Sequence, residues 1–135
     1  MFTDTSISEI NETMHDAWEA FHVYRKLPLK ARATIKDTDN KCYISIASIW
    51  EIAIKMQIGK LNLQSGFDSI QEFLDENQIE ILSIEFQHIQ QLLKLKFHHR
   101  DPFDRIIIAQ GLQEKLLVIS KDENFSKYKI KLLWN

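Results

Sequence analysis

His98-His99-Arg100-Asp101-Pro102-Phe103-Asp104-Arg105 runs directly into Ile106-Ile107-Ile108-Ala109-Gln110. Two carboxylates and two guanidiniums fall between Arg100 and Arg105. Asp101 before Pro102 is the pattern of an N-cap residue with proline at the first helical position. It predicts a helix from Pro102 to Lys115. Asp104 then lies in the first turn, where backbone N–H groups and the helix dipole favour negative charge. The apolar run behind it buries the helix, so a rigid element carries acid at an exposed mouth. A divalent-metal site uses such an arrangement. An aspartate N-cap is also common for structural reasons, and Asp101 alone reads as a cap rather than a primary ligand.

Outward from this stretch, short apolar segments alternate with helical patterns. Leu116 to Ser120 is a continuous apolar strand, as in a sheet buried on both faces. Lys121-Asp122-Glu123-Asn124 follows its carboxyl end. Phe125 to Tyr128 reads as a helical turn and Ile130 to Trp134 as a last strand. Upstream, Glu85 to Leu95 predicts a helix with Phe86, Ile89, Leu92 and Leu93 inward. A basic loop, Lys94 to Arg100, joins it to the Pro102 helix. Ile79 to Leu82 and Cys42 to Ile46 read as strands. The second leads into a helix that ends near Gly59 and is apolar on most sides, Trp50 included. Ser48 and Glu51 have the spacing of a capping box there. Ser65 caps a helix over 67–76, and Leu27 to Lys36 forms a further short helix. His15 to Tyr24 has apolar residues at helical spacing. Nothing before residue 27 reads as a buried strand.

The alternation predicts an α/β fold, a mainly parallel central sheet flanked by helices. Ligands collect at the carboxyl ends of such strands. Glu51, Asp104 and Asp122 come from separate stretches and are expected to converge there on one crevice. Converging carboxylates repel unless a cation neutralises them. Mg2+, or Mn2+, takes oxygen ligands and keeps several waters, so a few acids suffice. Zinc fits poorly, because adjacent His98 and His99 rarely chelate one ion without further ligands.

Composition sets the remaining bounds. A chain of 135 residues forms one domain, 1–135. It is 44% hydrophobic and 27% charged, ordinary for a globular protein. A net charge of −2 leaves nucleic-acid binding to a local basic patch. A single cysteine, Cys42, excludes an internal disulfide and a Cys-based metal site, and fits the reducing cytoplasm. No membrane span, secretory signal or Gly-rich nucleotide loop is present.

From Leu27 onward the chain resembles PIN-domain proteins of the VapC toxin type. The resemblance rests on residues 43–55 (Tyr43-Ile44-Ser45-Ile46-Ala47-Ser48-Ile49-Trp50-Glu51 and onward), Gly59-Lys60-Leu61, His98 to Arg105, Ser120 to Phe125, and Leu132-Leu133-Trp134. It implies a three-layer PIN-like fold and a Mg2+-dependent endoribonuclease. It also implies a toxin of a type II toxin–antitoxin pair, usually a homodimer, held inactive by a VapB-like antitoxin. Its metal-holding acids match Glu51, Asp104 with Asp101 beside it, and Asp122. Arg100, Arg105 and Lys55 become candidates for phosphate contacts or for orienting the acids. The family's first strand, ending in Asp-Thr, has no clear counterpart in the atypical segment 1–26. Its acid is either Asp4 or Asp16, or is missing, and the strand is altered or absent. That departure keeps a second reading open: a catalytically degenerate PIN-like protein that binds an antitoxin or dimerises. A phosphoryl-accepting signalling domain fits less well, because it needs paired acids at an early strand end. Without the family context Glu51 reads as a capping partner, Asp122 as a turn residue, His98 and His99 as loop residues, and Trp50 and Trp134 as core or interface.

Overall fold

Hydrophobic runs too short for helices become the strands. The structure, a computed structural model, describes Phe2–Thr3 and residues 29–120 and 122–133. In chain order these are β1 (Phe2–Thr3), α1 (Leu29–Lys36), β2 (Cys42–Ser45), α2 (Ile46–Gln57), α3 (Ser69–Glu76), β3 (Ile79–Leu82), α4 (Phe86–Leu93), α5 (Pro102–Gln113), β4 (Leu117–Ile119), a 3-10 turn (Glu123–Lys127) and β5 (Lys131–Leu133). The predicted helix over His15 to Tyr24, and Asp4, Asp16 and Trp134, lie outside the described residues.

Every strand pairing is parallel: β1 with β2, β2 with β3, and β4 with β5. The hydrogen-bonded strands form a three-stranded sheet, β1-β2-β3, and a pair, β4-β5, with β1 lying against β4. The first strand, expected to be altered or absent, is present as two residues. Phe2 pairs with Cys42 and Thr3 with Tyr43. A two-residue strand carries no hydrophobic periodicity of its own. Its place is set by the strands on either side, which local sequence does not reveal.

Alternate residues of β4 reach different apolar clusters. Val118 packs with Ile106, Ile107, Ile108 and Ala109 of α5 and with Phe125. Leu117 and Ile119 pack with Ala31 of α1 and Leu133 of β5. Both faces of β4 are thus covered, as its unbroken apolar run predicts. A third cluster joins Ile44 of β2, Ile49 and Ile52 of α2, and Ile70 and Leu74 of α3.

Three helices differ from their reading in the sequence. In α4, Phe86 and Leu93 are 73% and 83% exposed, and Ile89 is exposed as well. The buried residue is His88, which is fully enclosed, with Leu92 and Leu95 partly buried beside it. The helix face is built on a polar side chain. His88 Nδ1 accepts the Glu85 N–H (2.9 Å), and Nε2 lies 2.7 Å from Glu114 Oε1 at the end of α5. In α2, Ser45 rather than Ser48 is the N-cap, its Oγ accepting the Ala47 N–H. Trp50 is 59% exposed and outside the core. In α3 the helix starts at Ser69 with Asp68 at the cap position, and Ser65 instead donates its hydroxyl to Ser69 Oγ.

One buried amide ties the helices to the sheet. Gln110 of α5 has no solvent exposure. Its Oε1 accepts the Ser45 hydroxyl (2.6 Å), and its Nε2 donates to the Leu82 (3.4 Å) and Ser83 (3.2 Å) carbonyls. The ends of β2 and β3 and the start of α2 are thereby fixed to α5.

Candidate acidic site

Four carboxylates are delivered from three places at the carboxyl ends of the strands. α2 leaves the end of β2 and carries Glu51 in its second turn. With Ser45 as the cap, the capping-box explanation of Glu51 no longer applies. Lys55, one turn on, lies 3.8 Å from Glu51 Oε2. α5 begins as its sequence predicts. Asp101 is the N-cap, its Oδ1 accepting the Phe103 (2.9 Å) and Asp104 (3.1 Å) N–H groups, and Pro102 opens the helix. Asp122 follows β4 and caps the 3-10 turn, its Oδ1 accepting the Asn124 N–H (2.8 Å).

Asp104 is where their fields meet. Its carboxyl is pushed up to about 7, first by burial and then by the negative charges of Asp101, Asp122 and Glu51, with Lys55 opposing. The dipole of α5 favours the ionised form at this position, yet desolvation and three carboxylates outweigh it. Glu51 is also raised, by burial first; Lys55 lowers it and Asp101 raises it. The structure thus brings Glu51, Asp101, Asp104 and Asp122 within electrostatic reach of one another. Among the described residues, no group of three or more His, Cys, Asp or Glu side chains is placed to hold a metal ion.

The basic candidates divide. Arg100 is exposed. Arg105 is 5% exposed, so it is removed from the phosphate-binding candidates. Its guanidinium donates to the Lys96 carbonyl (2.9 Å) and the Tyr128 hydroxyl (3.1 Å), and stacks 4.0 Å above the Phe97 ring. The two histidines divide as well. His98 is exposed and meets Tyr128 edge-on. The His99 ring sits between Tyr128 Oη (2.8 Å from Nδ1) and Asp104 Oδ2 (3.4 Å from Nε2). Burial lowers the His99 pKa, with Asp101 and Asp122 opposing and Arg105 and Lys127 adding to it. The sequence alone reads His99 as a loop residue and a candidate RNA contact, and gives Tyr128 no role. The only local signal was an imidazole five positions before Asp104. Trp50, beside Glu51, packs edge-to-face on Phe103, the neighbour of Asp104, with ring centroids 5.1 Å apart.

This parallel α/β frame, with acids gathered at its strand ends, matches a known family model. The PIN domain model aligns with residues 16–131. The chain belongs to the PIN domain family. No curated protein matches it. The PIN fold is of a nuclease type, and PIN domains generally bind divalent metals. The donor set of this PIN domain fits a hard cation. It is all carboxylate, and two of its members, Glu51 and Asp104, are raised in pKa by burial first and by neighbouring carboxylates next, with Lys55 opposing. The carboxylates fit an ion that keeps part of its water shell rather than a closed cage. Among the described residues no helix is long and apolar enough to cross a membrane.

Proposed function

We propose that the chain is a divalent-metal-dependent endoribonuclease of the VapC toxin type, acting in the cytoplasm and restrained by a VapB-like antitoxin. The observation that carries the reading is the elevated carboxyl of Asp104, surrounded by Glu51, Asp101 and Asp122 on a PIN fold. Glu51, Asp104 and Asp122 would hold Mg2+ or Mn2+ directly or through water, with Asp101 chiefly capping α5. The cation, when bound, supplies Lewis acidity and an activated water for phosphodiester hydrolysis. The carboxylates would fix its place, and exposed Arg100 would meet a phosphate. Asp4 is the family's first acid in this reading. It follows Thr3 directly in sequence, and Thr3 pairs in parallel with β2, the strand that leads to Glu51.

The exposed apolar residues Phe86, Ile89, Leu93 and Phe97 support a partner surface, for a second copy or the antitoxin. The degenerate, binding-only reading keeps one supporting observation, the lack among the described residues of a group of three such side chains placed to hold a metal ion.

The deciding experiment incubates the purified chain with structured RNA in Mg2+, Mn2+ or EDTA. Cleavage that needs the cation is expected. Intact RNA from a folded sample would favour the binding-only reading. In parallel, millimolar Mg2+ or Mn2+ is expected to raise the melting midpoint, because a cation that binds only the folded chain stabilises it. An unchanged midpoint counts against metal binding.

Trp50 offers an exposed indole beside Glu51, a surface on which an RNA base can stack. Trp50→Ala is expected to weaken binding of single-stranded RNA about 10-fold, as loss of one stacking platform does. Because the residue is exposed, the melting midpoint should move little. Unchanged RNA affinity in a binding assay with EDTA present would remove Trp50 from the interface.

A further inference from the structure

Arg105, Tyr128, His99 and Asp104 lie in one hydrogen-bonded row, and donor chemistry fixes its direction. Arginine can only donate. Arg105 Nη1 therefore donates a hydrogen bond to Tyr128 Oη (3.1 Å), whose single hydrogen must point elsewhere. Among the described residues, the remaining partner of Tyr128 Oη is His99 Nδ1, at 2.8 Å. With Tyr128 donating, Nδ1 is the acceptor and the ring hydrogen sits on Nε2. That hydrogen faces Asp104 Oδ2 at 3.4 Å. Reversing the Tyr128–His99 bond would leave the phenol hydrogen without an acceptor and turn a bare Nε2 lone pair toward a carboxylate. The row begins on a buried cation and ends on a carboxylate, the order in which successive bonds polarise one another favourably. The Arg105 end is itself held by the Lys96 carbonyl and the Phe97 ring.

We propose that Arg105, Tyr128 and His99 form a one-way hydrogen-bond chain that orients the Asp104 carboxylate for the divalent cation, with His99 and Tyr128 as positioning residues. The proposal rests on the reading of Asp104 as a cation ligand. Outer groups that orient a ligand change metal affinity about 10- to 100-fold when removed. His99 is placed to do so, since it touches Asp104 while its far side is tethered to a buried hydroxyl.

Two readouts test the chain. Imidazole 15N spectra of the metal-free protein above neutral pH, with Asp104 ionised, are expected to show His99 as the neutral Nε2–H tautomer. Tyr128→Phe should weaken that preference, and Asp104→Asn should shift the Nε2 resonance. Mn2+ binding by calorimetry is the second readout. His99→Ala should lower affinity 10- to 100-fold, Tyr128→Phe should lower it less, and His99→Gln should restore part of it by placing an amide N–H near the Nε2 position. Circular dichroism melts verify that each variant is folded. A His99 proton on Nδ1 overturns the proposal. Wild-type Mn2+ affinity in both His99→Ala and Tyr128→Phe overturns it too, while leaving Asp104 as a ligand. Failure of the wild-type chain to bind Mn2+ overturns the proposal together with the metal reading.

Discussion

Asp104→Asn is expected to abolish cation-dependent RNA cleavage and, at the same time, to stabilise the cation-free protein above neutral pH. The loss of activity should exceed the 10- to 100-fold typical of an outer group, roughly 100-fold or more, because the variant removes charge at the point where all four acids converge. The gain in stability follows from linkage. The folded-state carboxyl titrates at about 7, against an ordinary value of 3.8. Between those values the folded chain holds a proton that the unfolded chain lacks, so stability falls as pH rises through the window. Above about pH 7 the folded protein carries an ionised, half-enclosed carboxylate among like charges, and the penalty is complete.

Asparagine keeps the shape of the side chain and carries no charge. Allowing for partial solvation of a side chain that is 21% exposed, Asp104→Asn should be about 2 kcal/mol more stable than wild type at pH 8, and less than about 1 kcal/mol more stable at pH 5. Urea melts at the two pH values, without divalent ions, check this. A variant less stable than wild type at pH 8 would mean that the carboxylate is not strained by its neighbours. Adding Mg2+ should stabilise the wild type and leave the variant unchanged, since the same crowding of charge that weakens the empty fold favours the cation.

What was legible in the sequence was local and strongly encoded. Asp101-Pro102 set the start of α5, and its side chain caps the helix as the dipeptide predicts. Ile79–Leu82 was readable as a strand because turn residues bound it on both sides. What was missed depended on tertiary partners. Phe86, Ile89 and Leu93 make an apolar stripe, so the periodicity of α4 points to the wrong face. The true inner face is anchored by His88, whose value lies in its bond to Glu114, 26 residues away. Ser48 and Glu51 have capping-box spacing, but the helix starts one turn earlier and Ser45 takes the cap. β1 is two residues long and is defined by its neighbours. At the acidic site, Asp104 and Asp122 stood out by their position after predicted elements. The roles of His99, Tyr128 and Arg105 require coordinates, because their contacts join the pre-α5 loop, α5 and the 3-10 turn.

Gln110 is the residue whose loss should cost the fold most among its buried polar groups, and the site would register that loss. Its amide binds Ser45, Leu82 and Ser83 at once, without access to water. Gln110→Ala combines a cavity with the loss of three hydrogen bonds, leaving the buried Ser45 hydroxyl hydrogen without its acceptor, and should lower stability by about 3–5 kcal/mol. Gln110→Met fills most of the volume and leaves only the lost hydrogen bonds, so about 1–3 kcal/mol is expected. Urea denaturation separates the two contributions, and equal losses would mean that packing alone matters. The functional consequence is carried by Ser45. It is both the partner of Gln110 and the cap of α2, the helix that holds Glu51, while Gln110 stands on the helix that begins with Asp104. The amide therefore fixes the separation of two acids that neither helix could set alone. In folded Gln110→Met, cleavage should drop on the order of 10-fold or more, as small misplacements of reacting groups do. Full activity in that variant would show that the sheet holds Glu51 and Asp104 in register without this amide.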